Sequence, residues 1–342
     1  MRKLFVTGGA GFIGSAFVRL ALEELPDCRV VNFDALTYAG NLDNLTGLDE
    51  SRHRFVRGDI CDREAVLAAL DSDTEAIINF AAESHVDRSI ARADEFLRTN
   101  VLGTQVLLDA ARERGIARFL QVSTDEVMGS LPDNDESAFF TESSPLAPNN
   151  PYAASKAAAE HLVRAAHKTF GLDTVITRCG NNYGPRQFPE KFLPLMLSNA
   201  MQDESIPVYG DGRNVRDWVY VEDHCRAVLA ALERGRAGES YNIGARNERR
   251  NIEVAESVLD ALGKPRTLIR FVKDRPGHDR RYAIDPTKVE RELGWQPRET
   301  WETGLAKTIR WYADNGEWIR RARSGEYRDY YARQYGTEVG TR

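Results

Sequence analysis

The sequence lacks several features that would each name a class of protein. No apolar run approaches the roughly 18 to 20 residues that cross a bilayer as a helix, so a membrane-spanning role is not expected. No apolar targeting segment or cleavage site precedes the first strand pattern at Leu4–Thr7, and a cytoplasmic protein is predicted. Cysteine is scarce. Cys28, Cys61, Cys179 and Cys225 lie far apart without metal-ligand spacing, which reads as isolated buried thiols and no metal site. There is no excess of positive charge: the net charge of −6 argues against a broad nucleic-acid or anionic-membrane surface, while leaving room for a local basic pocket. Internal repeats and low-complexity linkers are absent too. What remains is a 342-residue chain with 42% hydrophobic residues, enough for a large core in one domain or two closely fused ones.

The first half alternates short β-branched runs with helical patterns, the signature of a parallel sheet covered by helices. Strands are expected at Leu4–Thr7, Val30–Phe33, Arg54–Arg57, Ala76–Phe80, Arg118–Val122 and Thr174–Arg178. Helices are expected at Phe12–Leu25, Glu64–Leu70, Glu95–Arg114 and Tyr152–Thr169. The last two are long and rich in small and aliphatic residues, and are expected to pair with their copies in a homodimer. After about residue 180, loops rich in Pro and Gly alternate with shorter elements. The expected organisation is a doubly wound parallel α/β domain over residues 1–180. A smaller α/β domain follows over residues 181–342, some of its segments returning to the first sheet and the ligand lying between the two.

Gly8-Gly9-Ala10-Gly11-Phe12-Ile13-Gly14 follows the first strand and opens the first helix. Gly8 permits a tight turn, Gly11 lets backbone approach a pyrophosphate, and Gly14 allows close helix–strand packing. The helix N-terminus at Phe12 and Ile13 then presents free N–H groups to phosphates. Asp34 ends the second strand, where its carboxylate suits ribose hydroxyls and repels a 2′-phosphate, so NAD is expected over NADP. Asp59-Ile60 after the third strand would flank the adenine, and Ala81-Ala82 after the fourth would let the chain pass close to the cofactor.

Tyr152 and Lys156 are four residues apart and share a helix face beginning after Pro151. A phenol has an ordinary pKa of about 10, so a basic Tyr152 needs positive charge nearby, from Lys156 and from the oxidised nicotinamide. Thr124, at a strand end, supplies a hydroxyl for the reacting oxygen. Oxidation alone needs nothing more. Asp125-Glu126 beside it adds two carboxylates that should titrate apart, one acid and one base, which points to elimination of water.

These residues give the chain a resemblance, from end to end, to the dTDP-glucose 4,6-dehydratase family of the extended short-chain dehydrogenase/reductases. The segments that carry it include Thr7–Gly14, Leu36–Asn41, Ala81–Ser89, Ser123–Val127, Asn181–Pro185, Pro189-Glu190-Lys191, Arg216-Asp217-Trp218 and Asp274–Asp279. The resemblance implies a Rossmann-type fold and a three-step cycle on bound NAD. Tyr152 takes the C4 hydroxyl proton as hydride leaves C4, Glu126 removes the C5 proton while Asp125 protonates the departing C6 hydroxyl, and the 5,6-alkene then takes the hydride back at C6 and a proton at C5. It also implies that Thr99 and Asn182 join the cofactor contacts and that His85, Thr124 and Asn181 face the sugar. Lys191, Arg216, Asn251, Arg275 and His278 would gather the nucleoside diphosphate, with Pro207 and Tyr209 near the base. A cofactor regenerated in each cycle is expected to be tightly retained. Four positions depart from the family pattern: Met128 where Tyr is usual, Ala35 where Lys is common, Gly180 before Asn181, and Arg186 after Pro185. Together they leave open a related nucleotide sugar; Met128 puts the local pocket shape in question, and Ala35 weakens one expected adenosine contact. A UDP-sugar 4-epimerase or decarboxylase and a non-catalytic NAD-binding protein are the competing readings.

Overall fold

The computed structural model describes residues 3–133 and 135–323. The outermost parts of the two expected domains, residues 1–2 and 324–342, lie outside the described residues. Twelve strands occur among those described: β1 Lys3–Thr7, β2 Arg29–Asp34, β3 His53–Arg57, β4 Ala76–Asn79, β5 Arg118–Thr124, β6 Thr174–Cys179, β7 Asn181–Tyr183, β8 Ile206–Tyr209, β9 Val215–Tyr220, β10 Ser240–Ile243, β11 Glu248–Arg250 and β12 Ile269–Val272. Seven of them form one sheet in the order β10-β6-β5-β4-β1-β2-β3, with every neighbouring pair parallel.

This sheet is apolar on both faces because helices cover both. Phe12–Glu24 and Val221–Arg234 pack on one side, around Leu4, Val6, Ile78 and Leu120. On the other, Arg63–Ala69, Thr104–Arg114 and Pro151–Phe170 pack around Phe5, Phe33, Ile77 and Phe119. From β1 the chain winds outward through β2 and β3, then returns to β4 and winds the other way. The crevice where that reversal occurs, at the carboxyl ends of the strands, is where open sheets of this kind bind ligands.

The later part of the chain forms a three-stranded sheet, β11-β9-β7, and a two-stranded one, β12-β8. Their core holds Tyr183, Trp218, Trp301 and Trp318, packed among the helices Phe192–Ala200, Asn251–Leu262 and Trp301–Asp314. The strand β10, from residue 240 onward, pairs with β6 and extends the first sheet.

The elements follow the sequence patterning with two informative differences. Helix Pro151–Phe170 takes Pro151 as its first residue, where a missing N–H is harmless, and Asn150 caps it by accepting from the Ala153 N–H at 2.9 Å. The stretch expected as one helix from Glu95 to Arg114 is interrupted by a π-helical segment, Leu97–Gly103. Within it the Asn100 side chain accepts from the Glu83 N–H at 2.9 Å and donates to the Ser155 hydroxyl at 2.8 Å. That ties the loop after β4 to the helix carrying Tyr152 and Lys156.

Candidate active site

All the site residues singled out in the sequence line one cleft of about 760 Å3 between the end of the seven-stranded sheet and the later elements. At one end lies the glycine turn. Gly8 has φ +70°, and a Cβ on Gly14 would sit 2.2 Å from the Gly8 carbonyl oxygen, so only glycine allows this approach. No side chain caps helix Phe12–Glu24, which leaves its first amides facing the cleft. Asp34 accepts from the Ala10 N–H at 2.9 Å and the Leu36 N–H at 2.8 Å. A carboxylate has about four lone-pair sites, so acceptor capacity for ribose hydroxyls remains. Asp59, Ile60, Ala81, Ala82 and Thr99 complete the wall. These residues fit a dinucleotide.

At the other end, β5 delivers Thr124 and then a 3-10 turn, Asp125–Met128. The Thr124 hydroxyl caps that turn by accepting from the Glu126 N–H at 3.2 Å, and donates to Asp125 Oδ1 at 3.2 Å. Asp125 Oδ2 and Glu126 Oε2 are buried without a hydrogen-bond partner among the described residues. Buried unpaired carboxylate oxygens are unfavourable, and in a cleft they mark a place for chemistry.

Burial, and then the charge of Glu126, raises Asp125 well above the usual carboxylate range. Glu126 is also raised by burial, but Arg275, Arg216 and Lys191 pull it back down. The surroundings thus favour the protonated form more strongly at Asp125 than at Glu126.

Tyr152 lies in the same cleft and is almost wholly buried. Burial and the charge of Glu126 push its phenol well above its ordinary value. The Lys156 ammonium donates to the Val122 carbonyl at 2.7 Å, a neutral acceptor that leaves its positive charge in place one helical turn from Tyr152. Burial brings Lys156 itself down to about 8.

The later elements bring a ring of cations. Lys191 donates to the Ser84 carbonyl at 2.6 Å. Arg216 is 4% exposed, donates to the carbonyls of Val215 and Asp279 at 2.8 Å, and stacks 4.2 Å from the Tyr282 ring centroid. Carbonyls do not neutralise it, so its charge stays available to an anion. Arg275 donates to Asp87 Oδ1 at 3.2 Å, and the Tyr209 hydroxyl donates to Oδ2 at 3.0 Å. His278 Nδ1 lies 2.6 Å from Asp274 Oδ1, and burial takes its imidazole down to about 4. His85 is held neutral by burial and by the neighbouring Lys191, Arg88 and Arg275. Asn181, Pro207 and Asn251 line the wall. Asn182 also lines it, but its amide is engaged with the Gly180 carbonyl at 3.1 Å and His224 Nδ1 at 2.8 Å.

Two of the departures lie away from the cleft. Met128 packs with Val127, Phe140, Ala157 and Tyr282, and Arg186 lies 5.4 Å from the Trp311 ring centroid. Neither lines the cavity, which corrects the expectation that Met128 alters the local pocket shape. Gly180 is explained by a close approach, since a Cβ there would meet the Asp217 carbonyl oxygen at 2.7 Å. Ala35 does line the cleft. So do Tyr38, Arg88 and Glu190, to which the sequence assigned no role although each stands in a resemblance segment.

Residues 5–308 match the family model described as GDP-mannose 4,6 dehydratase. The chain belongs to this dehydratase family. It is 51% identical over 348 residues to dTDP-glucose 4,6-dehydratase of Xanthomonas campestris pv. campestris (strain B100), covering 96% of this chain and 98% of that one. The solved dTDP-glucose 4,6-dehydratase of Streptomyces venezuelae, with NAD bound, superposes with a TM-score of 0.90 at 51% identity, over 94% of this chain and 99% of that one. The dehydratase fold is not exclusive to dehydration. UDP-glucose 4-epimerase of Thermus thermophilus, in complex with NAD, reaches a TM-score of 0.84 at 30% identity, over 92% and 99% of the two chains.

Proposed function

We propose that this chain catalyses the NAD-dependent dehydration of dTDP-glucose to dTDP-4-keto-6-deoxyglucose. The observation that carries the reading is the buried Asp125–Glu126 pair at the end of β5, in the same cleft as Tyr152. An epimerase or a decarboxylase passing through a 4-keto sugar expels no hydroxyl from C6, and so has no use for such a pair.

The glycine turn, Asp34 and Asn182 hold the dinucleotide, with Asp59, Ile60, Ala81, Ala82 and Thr99 along its length. When bound, the oxidised nicotinamide supplies the hydride acceptor and a positive charge that, with Lys156, favours the Tyr152 phenolate. Tyr152 accepts the C4 hydroxyl proton, with Thr124 hydrogen-bonded to the same oxygen. The resulting ketone acidifies the neighbouring C–H, and Glu126, held nearer its ionised form by three cations, takes the C5 proton. Asp125 retains its proton until the C6 hydroxyl departs with it. His85 and Asn181 face the sugar. Lys191, Arg216, Asn251, Arg275 and His278 surround the diphosphate, and Pro207 and Tyr209 the base. Residues 1–180 form the cofactor domain and 181–342 mainly the substrate domain, in a cytoplasmic homodimer.

The test is incubation with dTDP-, UDP-, GDP- and CDP-glucose, with products identified by mass and by sugar stereochemistry. Loss of one water from dTDP-glucose in preference to the other three is expected. A galactose epimer with no mass change would refute the dehydratase reading, and no turnover of any of the four would refute catalysis.

A further inference from the structure

We propose that Tyr38, Arg88 and Glu190 form a clasp over the dinucleotide that slows its release, so that one cofactor molecule serves many turnovers. The inference rests on the reading that the cleft binds NAD.

The sheet order makes the geometry specific. β1 lies between β2 and β4, so the glycine turn that follows β1 is flanked by the segments that follow β2 and β4. Tyr38 stands on the first of these and Arg88 on the helix Val86–Ala91 of the second. The Arg88 guanidinium carbon is 3.8 Å from the Tyr38 ring centroid. The contact thus joins the two segments that flank the glycine turn, and both side chains line the cleft together with Gly8, Gly11 and Gly14. The later part of the chain locks it from a third direction. The Phe188 ring meets the Tyr38 ring edge-on at 5.9 Å between centroids, and Glu190 Oε2 is 3.4 Å from Arg88 Nη2. Glu190 is only 4% exposed. All four side chains line the same cleft as Gly11 and Gly14, and none is needed for the proton transfers assigned above. Release of the dinucleotide must open a cation–π contact and a buried ion pair joining three chain segments.

Burial pushes the Glu190 carboxyl up to about 7. Arg88, Lys191, Tyr38, His85 and Glu83 face it. A carboxyl at that value is ionised and paired with Arg88 above neutrality, and loses the pairing as pH falls through about 7. The clasp is therefore tighter at pH 8 than at pH 6.

The experiment measures NAD carried through gel filtration and its dissociation rate, by exchange against labelled NAD, in the purified full chain. Arg88→Met and Glu190→Gln should each release NAD about tenfold faster, a ratio equivalent to about 1.4 kcal/mol. The double variant should be little worse than either alone, because the two side chains act as one contact. The wild-type rate should rise from pH 8 to pH 6, and Glu190→Gln should flatten that dependence. Tyr38→Phe keeps the ring and serves as the mild variant, with a smaller acceleration. Wild-type release rates in all the variants overturn the clasp, as do strictly additive effects of the two substitutions. A wild type that binds no NAD at any concentration instead overturns the cofactor reading on which the clasp rests.

Discussion

Burying Asp125 next to Glu126 opposes folding, and the cost depends on pH in a definite direction. Both carboxyls are raised in the folded protein, so the native state binds more protons than the unfolded chain between the ordinary carboxylate range near 4 and the raised values. Stability then falls as pH rises through that window. Asp125→Asn removes the buried charge. It should melt higher than wild type at pH 8, by about 2–4 °C for each kcal/mol gained, and the gain should shrink as pH approaches 4. A pH-independent or negative shift would contradict the burial account. The same residues should behave oppositely in catalysis. Asp125→Asn with Glu126→Gln should lower formation of the 4-keto-6-deoxy product by at least about 100-fold, the usual contribution of general acid–base groups, while exchange at C4 continues. Tyr152→Phe should stop C4 chemistry as well. The carboxylate pair was legible in the sequence because two adjacent acids at a strand end are unusual. The separation of their affinities was not, since it depends on Arg216, Lys191 and Arg275, which come from distant segments. Met128 was misread for a related reason: adjacency to Glu126 in the chain says nothing about the side of the 3-10 turn on which a side chain emerges.

At the scale of elements, helix Pro151–Phe170 is held to the sheet by more than apolar packing. Four residues beyond Lys156, Glu160 receives Arg178 of β6 through its Nε at 3.0 Å and its Nη2 at 2.7 Å. The pair is almost wholly buried, with side chains 3% and 8% exposed. Removing one partner of such a pair strands the other charge. Arg178→Met should therefore destabilise the chain by about 3–5 kcal/mol, and adding Glu160→Leu should recover much of that loss. Urea unfolding of the two variants decides it, since equal losses in both would mean that the stranded charge is not the cause. Strands β1, β2, β4, β5 and β6 were legible as largely apolar runs because the sheet buries them on both faces, and the edge strand β3 by its place in the alternation with helices. The π segment Leu97–Gly103 was hidden, since its composition keeps helical periodicity, while the contacts Asn100 makes within it, to Glu83 and Ser155, come from other parts of the chain. β7 and β11 were hidden as well. They are three-residue polar strands whose pairing with β9 is set by tertiary register and not by their own pattern.

At the scale of the whole molecule, one surface is left more apolar than catalysis requires. Leu97 and Leu102, within the π segment, are 55% and 51% exposed. Ala154, His161 and Ala165 are exposed along one face of helix Pro151–Phe170, where the two alanines let another helix approach closely. These are the two helical stretches that the sequence marks for pairing with a second copy. Burying a leucine fully contributes about 1.5–3 kcal/mol, so a few such residues suffice as the centre of an interface of ordinary size. The wild-type protein should sediment at twice its 38.5 kDa chain mass. Leu97→Glu with Leu102→Glu should shift it to the mass of one chain by placing charges in an apolar seam. Because the paired helix also carries Tyr152 and Lys156, dissociation should loosen their geometry. The dissociated variant should then lose kcat more than it raises KM for the nucleotide sugar. A wild type of single-chain mass at micromolar concentration would refute the dimer. A monomeric variant with unchanged kcat would keep the dimer but remove its catalytic consequence.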